Sequence, residues 1–455
     1  MINNRRNLSQ SKVLIYLTGY FNLSGIPYCI VGNTDDFPNA IKGDVDIIIP
    51  QDKMKSLHLI MIAFCKENDF KLVQCLQHEN NAFYYVIQWW ENNSPAFLKL
   101  DICGDYYRKA KLFLKADELL SKPEEAKDVQ DHAKGFLVPD AATEFTYYLL
   151  KKIDKGNLSN EQVMHLHKQW LKDPMGCLSN VRRFWNNEHS ALIKQAAEGN
   201  DWQKVIKAIP QLKKFIHQHV RMTLKGITGE FLRRVRRVLF PTGFSVVFLG
   251  PDGSGKSSVI DAVSLSLAPA FRKQARYHLR PFVFRARTES NGQPVTNPHA
   301  SPKYGVIISV MKLFYLWIDY TVGYLISVHW KKIFSTLVIF DRYFHDILID
   351  SLRFRYGGPS WLAALLVRAI PKPDVLFFLN VPADIIQQRK SEISREACDQ
   401  QTQDYLALAK KIKKSLIVDA SQPLNDVVKE VNDSLLHSLA KKTETRLLRM
   451  NKWGL

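Results

Sequence analysis

The stretch Gly250-Pro-Asp-Gly-Ser-Gly-Lys-Ser257 constrains this chain more than any other. It fits G-x-x-x-x-G-K-[ST] in full. An apolar run at 244–249 leads into it, and a helical pattern from Lys256 towards Leu267 leads out. Strand, glycine turn and helix in that order predict a loop whose backbone N–H groups surround an anion at the positive end of a helix. Gly250, Asp252, Gly253, Ser254, Gly255, Lys256, Ser257 and Ser258 are the expected ATP-binding residues. Lys256 should reach the β and γ phosphates, and Ser257 should ligate Mg2+. Taken alone, the loop leaves kinase, ATPase and GTPase open.

Beyond Gly243, further apolar runs at 337–340, 375–379 and 416–418 alternate with helical segments. That rhythm predicts an α/β fold, a parallel sheet with helices on both faces. Asp341 ends the second of these strands, where a carboxylate can face a bound magnesium, and Arg342 follows it.

The first 140 residues read differently. Helical patterns at 11–23 and 52–65 are mixed with strand patterns at 28–31, 45–49, 83–90 and 97–102, which predicts a mixed α/β domain. From 141 to 239 the apolar residues recur at helical spacing, as in Leu212, Phe215, Ile216 and Val220. Pro241 and Gly243 then mark a boundary. The expected organisation is a mixed α/β domain at 1–140, a helical basic middle at 141–240 and a phosphate-loop domain at 241–455, in line with about three domains for 455 residues.

Within the first domain, Asp44 and Asp46 flank Val45 at the start of a strand, so both carboxylates lie on one side. Asp101 sits between Leu100 and Ile102 on a later strand. Three such carboxylates could share magnesium and act in nucleotidyl transfer. His165 with His167, and His217 with His219, stand two apart on helices and point away from each other, which argues against metal binding.

Charge narrows the partners. Lys+Arg number 63 against 44 Asp+Glu, a net +19. Ten of those cations lie between Lys204 and Arg237 against Glu230 alone, ending in Arg233-Arg234-Val235-Arg236-Arg237. Anionic partners follow: nucleotides, nucleic acid, anionic lipid or a phosphorylated glycan. The basic run reads as a solvated helix face or as a contact with an anionic surface. Six cysteines without a C-x-x-C pair argue against zinc ribbons and disulfide scaffolds. No signal peptide is expected, because Thr18 and Gly19 cut short the apolar patch after Arg5 and Arg6. The apolar stretch 304–330 is interrupted by Lys312 and Asp319, which favours a core or substrate-covering helix over a spanning one, with a membrane-surface helix as the alternative.

Four motifs in order, Phe248-Leu-Gly-Pro-Asp-Gly-Ser-Gly-Lys-Ser-Ser258, Asp341-Arg342-Tyr343, Asn380-Val-Pro-Ala-Asp-Ile-Ile-Gln-Gln-Arg389 and Asp419-Ala-Ser-Gln-Pro423, resemble thymidylate kinase. The resemblance covers about 243–437. It implies that Asp252 faces the sugar of the acceptor nucleotide and that Arg342 holds the acceptor phosphate. It also implies that Asp341 supports magnesium and in-line transfer, and that Arg389, with Arg395 beyond it, opens an arginine-bearing lid. The family's T-R-E-P-G-G stretch is absent, and Tyr277-His-Leu-Arg280-Pro281 stands in roughly that place. Arg353 and Arg355 supply further basic groups that could clamp an anionic acceptor. The expected acceptor-binding set is Asp252, Arg280, Arg342, Arg353 and Arg355.

Residues 10–140 resemble a minimal nucleotidyltransferase domain, whose pattern is Gly32, then Asp44-Val45-Asp46, then a third acid at Asp101. Asn33 stands where that family has serine or glycine. The combined expectation is an ATP- and Mg2+-dependent kinase with catalytic Lys256, Asp341, Arg342 and Arg389, joined to a transferase-like domain with Asp44, Asp46 and Asp101. The metal ligands would be Ser257, Asp341, Asp44, Asp46 and Asp101. The leading acceptor is a nucleoside monophosphate such as dTMP. Sugar, glycan or lipid-linked acceptors stay open, as does an ATP-gated switch acting on the first domain. The expected partners are a nucleotide or phosphorylated small molecule, with peripheral contact to an anionic membrane as a further option and no requirement for nucleic acid. A cytoplasmic location, or one against the inner face of a membrane, is expected.

Overall fold

Six consecutive residues without a charge, Phe244–Leu249, form a strand buried along its whole length. Such a run is stable only with neighbours on both edges and cover on both faces. The computed structural model, described for residues 8–128, 130, 132–281, 302–389 and 394–452, provides this. It divides into two units, Met1–Asn92 with Ala96–Arg237 and Glu444–Leu455, and Asn93–Pro95 with Val238–Thr443.

The first unit is built on a mixed five-stranded sheet. Strands β1 (Cys29–Val31), β2 (Val45–Ile48), β3 (Lys71–Glu79), β4 (Ala82–Glu91) and β5 (Ser94–Cys103) lie in the order β1-β2-β5-β4-β3. The pairs β1–β2 and β3–β4 are antiparallel, and β2–β5 is parallel. Two hairpins follow, β6 (Tyr106–Arg108) with β7 (Lys111–Leu114), and β8 (Pro123–Lys127) with β9 (Ala133–Pro139). Helices then run from Ala141–Lys155 to Leu224–Leu239. Phe145, Trp170, Trp185, Trp202 and Leu212 share one buried cluster there. Asp140 caps the first of these helices by accepting from Thr143 N, and Gly156 ends it in the left-handed conformation. The basic run on the last helix is not a uniform solvated face. Arg234 is exposed, whereas Arg233, Arg236 and Arg237 are half-buried, and Glu230 pairs with Arg233 and Arg234.

The second unit holds five parallel strands, β10 (Phe244–Leu249), β11 (Lys273–His278), β12 (Thr336–Asp341), β13 (Val375–Asn380) and β14 (Ser415–Asp419), in the order β11-β12-β10-β13-β14. Helices flank the sheet, as the α/β rhythm predicts. The first of these five in sequence, β10, is central, and the next two lie on one side of it. The order therefore reverses beside β10, where open parallel sheets hold ligands at their carboxyl ends. At the opposite end, Asp374 accepts from Ser245 N at 2.8 Å and from Lys332 and Lys442, each at 2.9 Å.

The apolar stretch forms a helix over Val306–Gly323 that continues through a π-helical segment to Ile333. Val306–Ile333 is long and apolar enough to cross a membrane by length and composition, and 33% of its most apolar window is buried. Asp319, in its middle, has no exposed surface and pairs with Arg280 at 3.3 Å.

Candidate functional site

The glycine loop needs its glycines. Gly250, Gly253 and Gly255 have φ of +150°, +87° and +83°, where a side chain is strained. A Cβ on Gly250 would also stand 2.9 Å from Leu379 O. Helix Lys256–Leu267 starts directly from the loop. Lys256 is buried and donates to Gly250 O at 2.8 Å and Pro251 O at 2.7 Å, so its ammonium is folded over the loop. Burial and the nearby Arg342 pull that ammonium down to about 8. The hydroxyl of Ser254 is buried and has no hydrogen-bond partner among the described residues. A cradle that a Cβ would fill, a buried lysine and an unsatisfied hydroxyl suit the phosphate groups of a nucleotide. Ser257, on the first turn of the helix, is exposed.

Register places Asp341 of β12 beside Phe248 of β10 and His278 of β11. Its carboxylate accepts from Arg276 at 2.9 Å, with His278 at 3.8 Å. Burial alone would raise this carboxyl, but His278, Arg276 and Lys256 hold it well below the usual carboxylate range. Arg276 also bonds Asp261, on the helix that leaves the loop, at 2.7 Å.

Arg342 follows with a left-handed backbone, φ +82°, and its N–H donates to Phe248 O at 3.1 Å. This turn carries the guanidinium to the loop, where Nη2 donates to Asp252 Oδ1. The other oxygen of Asp252 accepts from Arg353 Nη1. Burial would raise Asp252, but Arg342, Lys256 and Arg353 outweigh it and hold it at about 2. Arg342 Nη1 donates to Asp346, which also accepts from Tyr405 OH at 3.1 Å.

The structure thus gathers Lys256, Asp252, Arg342 and Arg353 into one cluster, with Asp341 close enough to act on Lys256 electrostatically. Arg389 ends helix Ala383–Arg389, and its Nη1 lies 3.8 Å from the point where a Cβ on Gly255 would stand, so it adjoins the loop. Three other expected residues are engaged elsewhere. Arg280 is tied to Asp319 and lies over the Tyr315 ring. Arg355 packs 3.9 Å from the Tyr304 ring centroid and donates to Tyr304 OH at 2.9 Å. Arg395 pairs with Asp384 at an exposed position.

In the first unit, Asp46 and Asp101 are register partners across the parallel β2–β5 pair. Lys151 lies 2.6 Å from Asp46, and His78 lies 3.3 Å from Asp101. Burial raises Asp46 despite Lys151, whereas His78 overcomes burial to lower Asp101. A cavity of about 150 Å³ is lined by these four residues together with Arg108 and Lys155. Asp44 is exposed and accepts from Tyr84 OH at 3.1 Å. Among the described residues, no three His, Cys, Asp or Glu side chains come together as a metal-holding group. His165 bonds Glu144 at 3.0 Å and His217 bonds Asp154 at 2.7 Å.

Sequence reasoning missed Arg276, His278, Asp346 and Tyr405 as members of the cluster. The first two belong to an edge strand in which Ala275 and Tyr277 are half-buried and the other four residues are polar and exposed, so its apolar signal is weak. Asp346, four residues after Arg342, was in plain sight, but its burial was not.

No protein-family model matches this chain. Over 221 residues it is 23% identical to the thymidylate kinase of Lactobacillus acidophilus, a match that takes in 44% of this chain and 96% of that protein.

Proposed function

We propose that the second unit transfers the γ-phosphoryl group of ATP to a nucleoside monophosphate, with dTMP the leading acceptor. The observation that carries this reading is the position of Asp252 between Arg342 and Arg353 inside the phosphate loop, beside buried Lys256. Two guanidinium groups aimed into the loop give it room for a second anion beside the nucleotide. A kinase uses such groups to hold an anionic acceptor. The likeness to a thymidylate kinase supports the same chemistry.

In this mechanism the loop amides and Lys256 hold the β and γ phosphates, and Ser257 and Asp341 would hold magnesium. The metal, when bound, neutralises charge on the phosphate oxygens. Arg342 and Arg353 orient the acceptor for in-line attack, and Arg389 adds positive charge beside the loop as the phosphoryl group moves. The test is ADP formation from Mg-ATP by the full chain, with and without dTMP, beside Lys256→Ala. dTMP-stimulated turnover that disappears in the variant supports the reading. ATP binding without stimulation turns attention to sugar or lipid-linked acceptors.

The first unit has a second reading, nucleotidyl transfer at Asp46 and Asp101, supported by their facing positions on β2 and β5. Release of pyrophosphate from a nucleoside triphosphate, lost in Asp46→Asn but retained in Lys256→Ala, is its test.

A further inference from the structure

Apart from Lys256, Asp252 is the one ionisable residue within 250–257. Its two oxygens are divided between guanidinium groups from different segments, Arg342 at the end of β12 and Arg353 in the chain beyond the short helix Asp346–Ile349. Arg342 is anchored through its guanidinium, and Arg353 through its backbone. Arg342 is held by Asp346, and the Arg353 backbone N–H donates to Asp350 at 3.0 Å. Two guanidinium groups closing on one carboxylate is the arrangement by which proteins hold a phosphate or carboxylate ligand. Here the carboxylate belongs to the loop itself.

We infer that Asp252 is an internal stand-in for the anionic group of the acceptor, and that an acceptor bearing phosphate or carboxylate binds by taking Arg342 and Arg353 away from Asp252. The inference rests on the kinase reading for the identity of the acceptor, but not for the exchange itself. Asp252 Oδ1 is 3.8 Å from Lys256 Nζ, so the same exchange frees the carboxylate next to the lysine that faces ATP. Arrival of the acceptor is thereby felt in the phosphate loop. An acceptor with hydroxyl groups alone cannot compete with a carboxylate for two guanidinium groups.

The experiment is isothermal titration of the full chain, its loop saturated with magnesium and a non-hydrolysable ATP analogue. The probes are inorganic phosphate, dTMP and thymidine. The proteins are the unaltered chain, Asp252→Asn, the combination of Asp252→Asn with Arg353→Gln, and Asp261→Asn as a matched loss of one negative charge on the adjoining helix. Asp252→Asn should bind phosphate and dTMP about tenfold more tightly than the unaltered chain. Adding Arg353→Gln should remove that gain, Asp261→Asn should show none, and thymidine should show no gain in Asp252→Asn. Unchanged or weaker phosphate binding by Asp252→Asn overturns the inference, as does an equal gain in Asp261→Asn. If phosphate shows the gain while dTMP fails to bind any variant, the stand-in holds and the nucleotide acceptor falls. If dTMP binds and is turned over with the same affinity in Asp252→Asn, the kinase holds and the stand-in falls.

Discussion

Arg342 Nη1 donates at 3.0 Å to Oδ2 of Asp346, a carboxylate with no exposed surface four residues further along the chain. The pair joins the strand end that carries Arg342 to helix Arg395–Lys411, because Tyr405 donates to the other oxygen of Asp346. Burial raises the Asp346 carboxyl in spite of Arg342, so the contact is held at the expense of solvation and acts to position the guanidinium.

Asp346→Asn should keep the shape but weaken the grip on Arg342. The KM for the acceptor should rise about tenfold while the KM for ATP stays within about twofold, since a charge-assisted hydrogen bond contributes about 1.5–3 kcal/mol. Asp346→Ala, which leaves a buried arginine short of a partner, should also lower stability by about 3 kcal/mol. Steady-state kinetics against each substrate, beside denaturant melts, separate the two effects. An equal rise in both KM values would count against a positioning role.

Lys256→Ala should lower turnover by about 10²-fold or more, because the charge it supplies acts in a water-poor site. Its melting profile should stay close to that of the unaltered chain, since removal of an ammonium depressed to about 8 by burial and Arg342 also removes a desolvation cost. Single-turnover ADP formation and a thermal melt check both halves.

Gly250→Ala should weaken nucleotide binding by about 5- to 150-fold. At φ +150°, with Leu379 O 2.9 Å from the new Cβ, the loop must shift, and the strain costs about 1–3 kcal/mol. Gly243 has its own neighbours at the other end of β10, where a Cβ would meet Lys332 Cα. Gly243→Ala should therefore destabilise the fold without acting on the loop directly. Nucleotide affinity measured at matched stability distinguishes the two.

Asp374 sets part of the acid stability of the second unit. Burial would raise it, but Lys442 and Lys332 hold it below the ordinary carboxylate range. A depressed folded pKa gives stabilisation that is complete above the unfolded value of about 3.9 and is lost as pH falls from there through the folded value. Asp374→Asn should therefore lower stability at pH 7 and flatten its dependence below about pH 4. Urea melts across that range read both.

Much of the second unit was legible because its signals are local. Phe244–Leu249 is found where the apolar run predicts it, and the strands ending at Asp341, Asn380 and Asp419 differ from expectation by a residue or so at either end. The glycine loop needs only its own residues and its two neighbouring elements. The strand Lys71–Glu79 was missed because Gln74, Gln77 and His78 break its apolar pattern, although Gln74 and Gln77 are buried. Lys273–His278 was missed because an exposed edge strand buries almost nothing. Pairings between distant segments escaped for a different reason. No spacing in the sequence says that Arg353 will meet Asp252, that Arg280 will turn to Asp319, or that Lys151 will come to Asp46. Those contacts are set by the path of the chain between them.

Asp374 has a mechanical side as well. Ser245 is bonded to Asp374 through both its N–H and its hydroxyl, and Lys442 reaches Gly243 O. The central strand is thus fastened at the end away from the glycine loop, like a beam clamped at one support. Displacement at the free end is then taken up by the turns that leave the sheet, at Gly250 and at Arg342, while the clamped end stays still. Amide exchange along β10 should accordingly be slowest at its root.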